Sequence, residues 1–240
     1  MPTNEHLVLC NDANAKPRGN EKLLTLNLHG ALANVRLEIE DISRRLLANL
    51  SDVHADLLEI ASYIYAADSA ISRGGNTDSH LGAMWYRKFR FVIPVRQPRL
   101  WSSDPVTVAL VETVGFLSDD DYEFEFRKLE KPPPVESYFP LSGAETAKFA
   151  PDDVLLFSGG LDSFAGTVEE LVAHGKKVAL VSHRSAPKIT DAQNYLIAQL
   201  RHRFGADRVL HIPVRANLKG DLGKESTHRA VRFFSPQSVP

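Results

Sequence analysis

Residues 153–214 alternate short apolar runs with longer amphipathic segments, and no other feature of the 240-residue chain constrains its fold as strongly. The apolar runs, residues 154–157, "KKVALVSH" and "DRVLHIPV", have the length and composition of buried strands. A strand-helix-strand-helix-strand order predicts a parallel sheet with right-handed crossovers. Because ligands bind at the carboxyl ends of the strands in such sheets, a functional site is expected at that edge.

The two helical segments between these strands carry their own end signals. The first, residues 162–174, is predicted to end at Gly175 and to place one apolar face on the sheet, formed by Phe164, Val168, Leu171 and Val172. The second is predicted to begin at Thr190, because Gln193 follows three residues later as in a capping box. It is predicted to end at Gly205.

The stretch "SGGLDS", residues 158–163, joins the first strand to the first helix. A helix N-terminus offers unpaired N–H groups and partial positive charge, and glycine lets the backbone approach a phosphate closely. Ser158 and Ser163 can add hydroxyl donors. Asp162 fits such a site either as a ligand of Mg²⁺ or as a cap of the helix. The alternative is that residues 158–163 form a glycine turn between the strand and the helix and bind nothing.

Two common nucleotide motifs do not occur here. "LKGDLGKES" lacks the leading glycine of the Walker loop and has Glu225 where a hydroxyl is required, and G-x-G-x-x-G is absent. The hexapeptide "SGGLDS" instead resembles the S-G-G-x-D-S pyrophosphate-binding loop of the PP-loop ATP pyrophosphatases. It matches that pattern at every position and stands between a predicted strand and a predicted helix.

Residues from 153 to about 229 are similar to the QueC-like proteins of bacterial antiphage clusters, which are related to 7-cyano-7-deazaguanine synthase and include QatC and its type IV CBASS counterpart. The similarity is carried by "LVSHRSAPKI", "GADRVLHIPVRANL" and "ESTHR", and in the N-terminal half by "DLLEIASYIYAADSAISRG". It implies an α/β protein with a parallel-sheet PP-loop domain of the adenine nucleotide alpha hydrolase-like type. A smaller α+β N-terminal domain would precede it.

The resemblance also implies a reaction and its residues. With Mg²⁺, ATP would adenylate a carboxylate of a 7-deazaguanine and release pyrophosphate, and ammonia or an amino group of another protein would then attack to give an amide or nitrile. The implied ATP-binding residues are Ser158, Gly159, Gly160, Leu161, Asp162, Ser163, Ser182, His183, Arg184 and Ser226. Asp162 and Arg229 are the implied catalytic residues, with Thr227 and His228 as further phosphate contacts. The alternatives are a capping or solvated role for His183 and a surface salt bridge for Arg229.

The chain departs from that family in two respects. The synthases carry a cysteine zinc site near the C-terminus, whereas the only cysteine here is Cys10, so no such site is expected. The sequence also ends at Pro240, before the family pattern does, which predicts a PP-loop domain incomplete at its C-terminus and completed by self-association or by another polypeptide. These departures favour a second function, a non-catalytic nucleotide-binding or scaffold module of a defence complex. A third hypothesis keeps the enzyme class with tRNA or an amino acid as substrate.

The prolines in "EKPPPVE" favour an extended spacer and predict three regions: an N-terminal domain over 1–130, a linker over 131–152 and the PP-loop domain over 153–240. In the first region strands are predicted in 6–12, 22–30, 33–41, 88–96 and 122–130, and helices in 42–72 and 104–117. The acidic run "SDDDYE" is interpreted as a solvated turn rather than a metal site.

Composition limits the partners. The net charge of −2 gives no overall attraction to nucleic acid, which disfavours a nucleic-acid partner but leaves a local basic patch possible. The apolar runs are too short to span a membrane. The N-terminus lacks the pattern of a signal peptide, so a cytoplasmic location is expected.

Overall fold

The computed structural model describes residues 4–37, 50–73, 86–132, 149–184 and 187–218. These residues divide into two compact units. Unit 1 holds residues 4–36, 51–73, 86–132 and 217–218, and unit 2 holds residues 37, 50, 149–184 and 187–216. No helix in these ranges is long and apolar enough to cross a membrane.

Unit 1 is built on a four-stranded sheet in which every neighbouring pair is parallel. Its strands, in spatial order, are β2 (Lys22–Leu26), β1 (Glu5–Cys10), β4 (Lys88–Val95) and β5 (Asp121–Lys128). Two short strands, β3 (Val35–Leu37) and β9 (Ala216–Leu218), pair separately. The helices are α1 (Asp52–Ala70), α2 (Pro98–Trp101) and α3 (Asp104–Ser118).

The expected α+β arrangement of this half is therefore corrected to a mixed α/β arrangement. Parallel neighbours need crossover connections, and α1 lies in the chain between β2 and β4, while α2 and α3 lie between β4 and β5. β4 is buried at every residue after Lys88, as is usual for a central parallel strand covered on both faces. The alternation of Arg90 with Phe89 and Phe91 in the sequence is typical of a strand with one exposed face, so it did not reveal that both faces of β4 are buried.

Helix α1 is shorter than the helix predicted over 42–72. It begins at Asp52, because Ser51 has extended backbone angles and its Oγ accepts a hydrogen bond from the His54 N–H at 3.5 Å. The apolar periodicity of the sequence passes through this cap without a break, so spacing alone did not reveal it. Residues 38–49 lie outside the described part of the chain.

The sheet of unit 1 carries a ladder of aromatic rings on the face shared by β4 and β5. Phe89 stacks on Tyr122 and Phe91 on Phe124, each with ring centroids 5.5 Å apart. These pairs lie directly opposite each other in the strand register, which places large apolar rings in contact along the sheet.

A buried ion-pair cluster lies beside this sheet. Arg87 is 1% exposed and donates to the carboxylates of Asp68 and Asp120, and Arg73 also pairs with Asp120 at 2.6 Å. Desolvation raises the pKa of Asp68, while its bond to Arg87 opposes that rise. The interpretation of "SDDDYE" as a fully solvated turn is therefore wrong for Asp120, which is 5% exposed.

Unit 2 contains the strand-helix alternation predicted from the sequence. Strands β6 (Asp153–Leu156), β7 (Val178–His183) and β8 (Val209–Val214) form a parallel sheet in that order. Helix α4 (Leu161–Val172) follows β6, and helix α5 (Pro187–Phe204) follows β7. Both helices contribute to one buried cluster with the sheet, made of Phe157, Leu171, Val178, Leu180, Ile197, Leu200 and Val209.

The helix ends agree with the sequence in part. Gly175 and Gly205 follow their helices with φ of +65° and +99°, conformations that favour glycine. Val172 is 63% exposed, so its predicted place on the buried face is wrong. The predicted start of α5 at Thr190 is also wrong, since the helix already includes Pro187, whose fixed φ suits a first turn.

Candidate functional site

The predicted phosphate loop leaves the carboxyl end of β6 and enters α4. Gly160 is the N-cap of α4, with extended backbone angles, and the Phe164 N–H donates the first helical bond to its carbonyl at 3.1 Å. Gly159 has a φ of +83°, which a residue with a side chain adopts only at a cost. The first-turn amides of α4 have no acceptor within the helix, so they are available to an anion.

The two serines of the loop bond to the loop itself. Ser158 Oγ accepts from the Gly160 N–H at 3.2 Å, and Ser163 Oγ donates to the Gly160 carbonyl at 3.0 Å. The two hydroxyls are 3.1 Å apart. They therefore hold the bend in shape, and both belong to a solvent-accessible turn where a ligand could take over these bonds.

Asp162 and Leu161 occupy the first turn of α4 and are exposed. Since Gly160 is the N-cap and no side chain caps this helix, the alternative in which Asp162 caps it is wrong. An acidic side chain at this position is favoured by the helix dipole. Mg²⁺ bound to nucleotides usually takes one or two carboxylates plus phosphate oxygens, and a single exposed carboxylate beside the loop fits that need.

Ser182, which was predicted to contact ATP, lies beneath the loop rather than on its surface. Its side chain is 0% exposed, and its Oγ donates to the Phe157 carbonyl at 2.8 Å. His211 Nε2 lies 3.1 Å from Ser182 Oγ. Ser182 thus joins the end of β6 to the end of β7 and is placed to support the loop.

His183 and Arg184 follow at the carboxyl end of β7. Both are half-buried, and the His183 ring donates from Nε2 to the Ala216 carbonyl at 3.1 Å. Burial lowers the pKa of His183, partly opposed by this bond, so the ring is held neutral near pH 7. The Arg184 backbone N–H donates to the Val214 carbonyl, which places Arg184 at the edge shared by β7 and β8.

Sequence reasoning missed two residues of this site. Gln193 of α5 donates from Nε2 to the Ser158 carbonyl at 3.1 Å and reaches the His183 carbonyl at 3.4 Å. The capping-box interpretation assigned it a different role. His211 gave no signal beyond its place on the apolar strand β8.

The structure thus brings most of the predicted residues together at one sheet edge: Ser158, Gly159, Gly160, Leu161, Asp162, Ser163, Ser182, His183 and Arg184. Ser226, Thr227, His228 and Arg229 lie outside the described residues. In the part of the chain that is described, no group of three or more His, Cys, Asp or Glu side chains could hold a metal ion. No protein-family model, curated protein or solved structure matches this chain.

Proposed function

We propose that this protein binds ATP through the loop at residues 158–163 and uses it to adenylate a carboxylate. One observation carries the proposal: a bend with Gly159 at φ +83° leads from the carboxyl end of a parallel strand into the N-terminus of α4. Its sequence is the S-G-G-x-D-S pattern of the PP-loop ATP pyrophosphatases. The helix N-terminus favours an anion and the sequence pattern favours pyrophosphate, and both support the proposal at the same turn.

The residues of the site have distinct roles in this proposal. The first-turn amides of α4 and the hydroxyls of Ser158 and Ser163 donate to the oxygens of the β- and γ-phosphates. Asp162 would hold Mg²⁺, which would supply positive charge beside the phosphate oxygens. Arg184 and His183, at the end of the neighbouring strand, lie on the side where the nucleoside and the acceptor carboxylate would extend.

The reaction has two steps. A carboxylate oxygen attacks the α-phosphorus of ATP, the bond to the β-phosphate oxygen breaks, and pyrophosphate leaves. An amine then attacks the acyl carbon, and AMP leaves with the electron pair of the broken C–O bond. A 7-deazaguanine carboxylate as acceptor, ammonia or a protein amine as donor, and a role in antiphage defence rest on the QueC-like resemblance.

The test is to incubate the protein with ATP, Mg²⁺, an ammonium salt and 7-carboxy-7-deazaguanine and to measure AMP and pyrophosphate. We expect both products in equal amounts, and we expect Asp162→Asn to reduce their rate by at least about 100-fold, as the loss of a key electrostatic partner does. The matched control is Glu169→Gln, which removes a charge from the exposed side of the same helix. Equal rates for the two variants would refute the assigned role of the loop.

A second candidate, a non-catalytic nucleotide-binding or scaffold module of a defence complex, is favoured by the outer surface of β6. Val154 and Leu156 lie on one face of this strand and are 42% and 36% exposed, which leaves apolar surface open to a partner. ATP binding in a calorimeter without formation of AMP under the same conditions would select this candidate.

A further inference from the structure

We infer that Gln193 is a positioning residue that sets the shape of the loop, an inference that rests on the proposed function of that loop. Gln193 belongs to α5 and is 1% exposed. Its amide nitrogen lies between two backbone carbonyls, that of Ser158 at 3.1 Å and that of His183 at 3.4 Å. One side chain therefore ties the loop to the carboxyl end of β7.

The loop also rests on the carbon chain of Gln193. A Cβ added to Gly159 would lie 3.1 Å from Gln193 Cγ and 3.7 Å from its backbone nitrogen. The contact is tight, so Gln193 would have to shift by a few tenths of an ångström to admit a side chain at position 159. Gly159 and Gln193 are therefore complementary in shape: Gly159 has no Cβ, and Gln193 packs against the space that a Cβ would occupy.

The chemistry of the side chain points to this local task rather than to general stability. Gln193 Oε1 is buried and has no hydrogen-bond partner among the described residues. An apolar residue of the same length would bury no unpaired acceptor at this position. It would, however, remove the hydrogen-bond donor from the carbonyls of Ser158 and His183. The amide is therefore suited to holding the phosphate-binding turn and the end of β7 at a defined separation, which a nucleotide spanning the two would require.

The first test uses the ligand-free full chain and hydrogen exchange. Gln193→Met keeps the length of the side chain and removes the donor. We expect amide exchange in residues 158–163 to rise about tenfold, the scale expected for losing a pair of hydrogen bonds. Leu200→Ala is the control, because it opens a cavity under the same helix within the apolar cluster. Unchanged exchange of the loop in Gln193→Met, or an equal rise in Leu200→Ala, would overturn the inference.

A second variant covers the case in which Gln193→Met does not fold. Gly159→Ala presses on Gln193 Cγ from the loop side, and it is expected to raise exchange in the same segment and in the second turn of α5, where Gln193 lies. Loop exchange equal to that of the unmodified chain would count against the pairing of these two residues.

The third measurement is ATP affinity by calorimetry in the presence of Mg²⁺. We expect Gln193→Met to raise the Kd about tenfold while Leu200→Ala lowers the melting temperature without changing the Kd. Equal Kd values for Gln193→Met and the unmodified chain would overturn the inference. If the unmodified chain bound no ATP, the proposed function would fail, and the exchange experiment would still decide whether Gln193 positions the loop.

Discussion

Replacing Gly159 by alanine tests whether the bend at the end of β6 has the shape described. A side chain at φ +83° costs about 1–2 kcal/mol in the left-handed region. The new Cβ would also lie 3.1 Å from Gln193 Cγ, so the neighbour must move, which adds about 1 kcal/mol as in overpacked cores. We therefore expect Gly159→Ala to lower the free energy of unfolding of unit 2 by about 2–3 kcal/mol.

Two other glycines of unit 2 serve as controls that separate the backbone cost of a left-handed residue from the cost of the contact with Gln193. Gly175 has a φ of +65° and open space around it, so Gly175→Ala should cost only the backbone term of about 1–2 kcal/mol. Gly166 lies inside α4 with open space around it, and Gly166→Ala should stabilise by about 0.5–1 kcal/mol through helix propensity.

The assay is urea denaturation followed by circular dichroism, with hydrogen exchange of the α4 amides to report on unit 2 itself. The expected order of stability is Gly166→Ala, the unmodified chain, Gly175→Ala and Gly159→Ala, from highest to lowest. If Gly159→Ala were as stable as the unmodified chain, the backbone conformation assigned to the bend would be wrong. If it matched Gly175→Ala, the close approach to Gln193 would have no energetic cost.

Unit 1 supplies two further predictions. Burial, helped by Lys22 and Arg87, lowers the pKa of His6 from 6.5 to about 4, so stability is fully present above pH 6.5 and falls as the pH drops towards 4. At ~1.36 kcal/mol per unit of pKa shift, the loss of unfolding free energy is about 3 kcal/mol. Denaturation at several pH values should show this loss. His6→Phe should flatten the dependence of stability on pH, whereas the control His174→Gln, at an exposed position, should leave it unchanged. Arg87→Met should cost about 3–5 kcal/mol, because it leaves the carboxylates of Asp68 and Asp120 buried with one fewer partner. A melting temperature no lower than that of the exposed control Arg127→Met would contradict the structural role of this cluster.

The sequence by itself determined the architecture of unit 2 and the place of its candidate site. Apolar runs of strand length, separated by amphipathic helices, predicted the parallel sheet, and Gly175 and Gly205 predicted where the helices end. These signals are readable because they are local: periodicity and backbone freedom depend on residues within a few positions of each other. The loop at residues 158–163 is predictable for the same reason, since the strand, the glycines and the helix are contiguous in the chain.

Tertiary structure alone decided which of the site's polar residues lie at the surface and which lie beneath it. Ser182 and His183 are neighbours on β7, yet the Ser182 hydroxyl is buried against the Phe157 carbonyl, 25 positions away in the chain. Gln193 reaches the Ser158 carbonyl across 35 positions, a contact that no short pattern encodes. In unit 1 the parallel pairing of β1 with β4 likewise joins segments far apart in sequence. Such contacts depend on how elements pack, because burial and hydrogen-bond partners are properties of the assembled chain rather than of a segment.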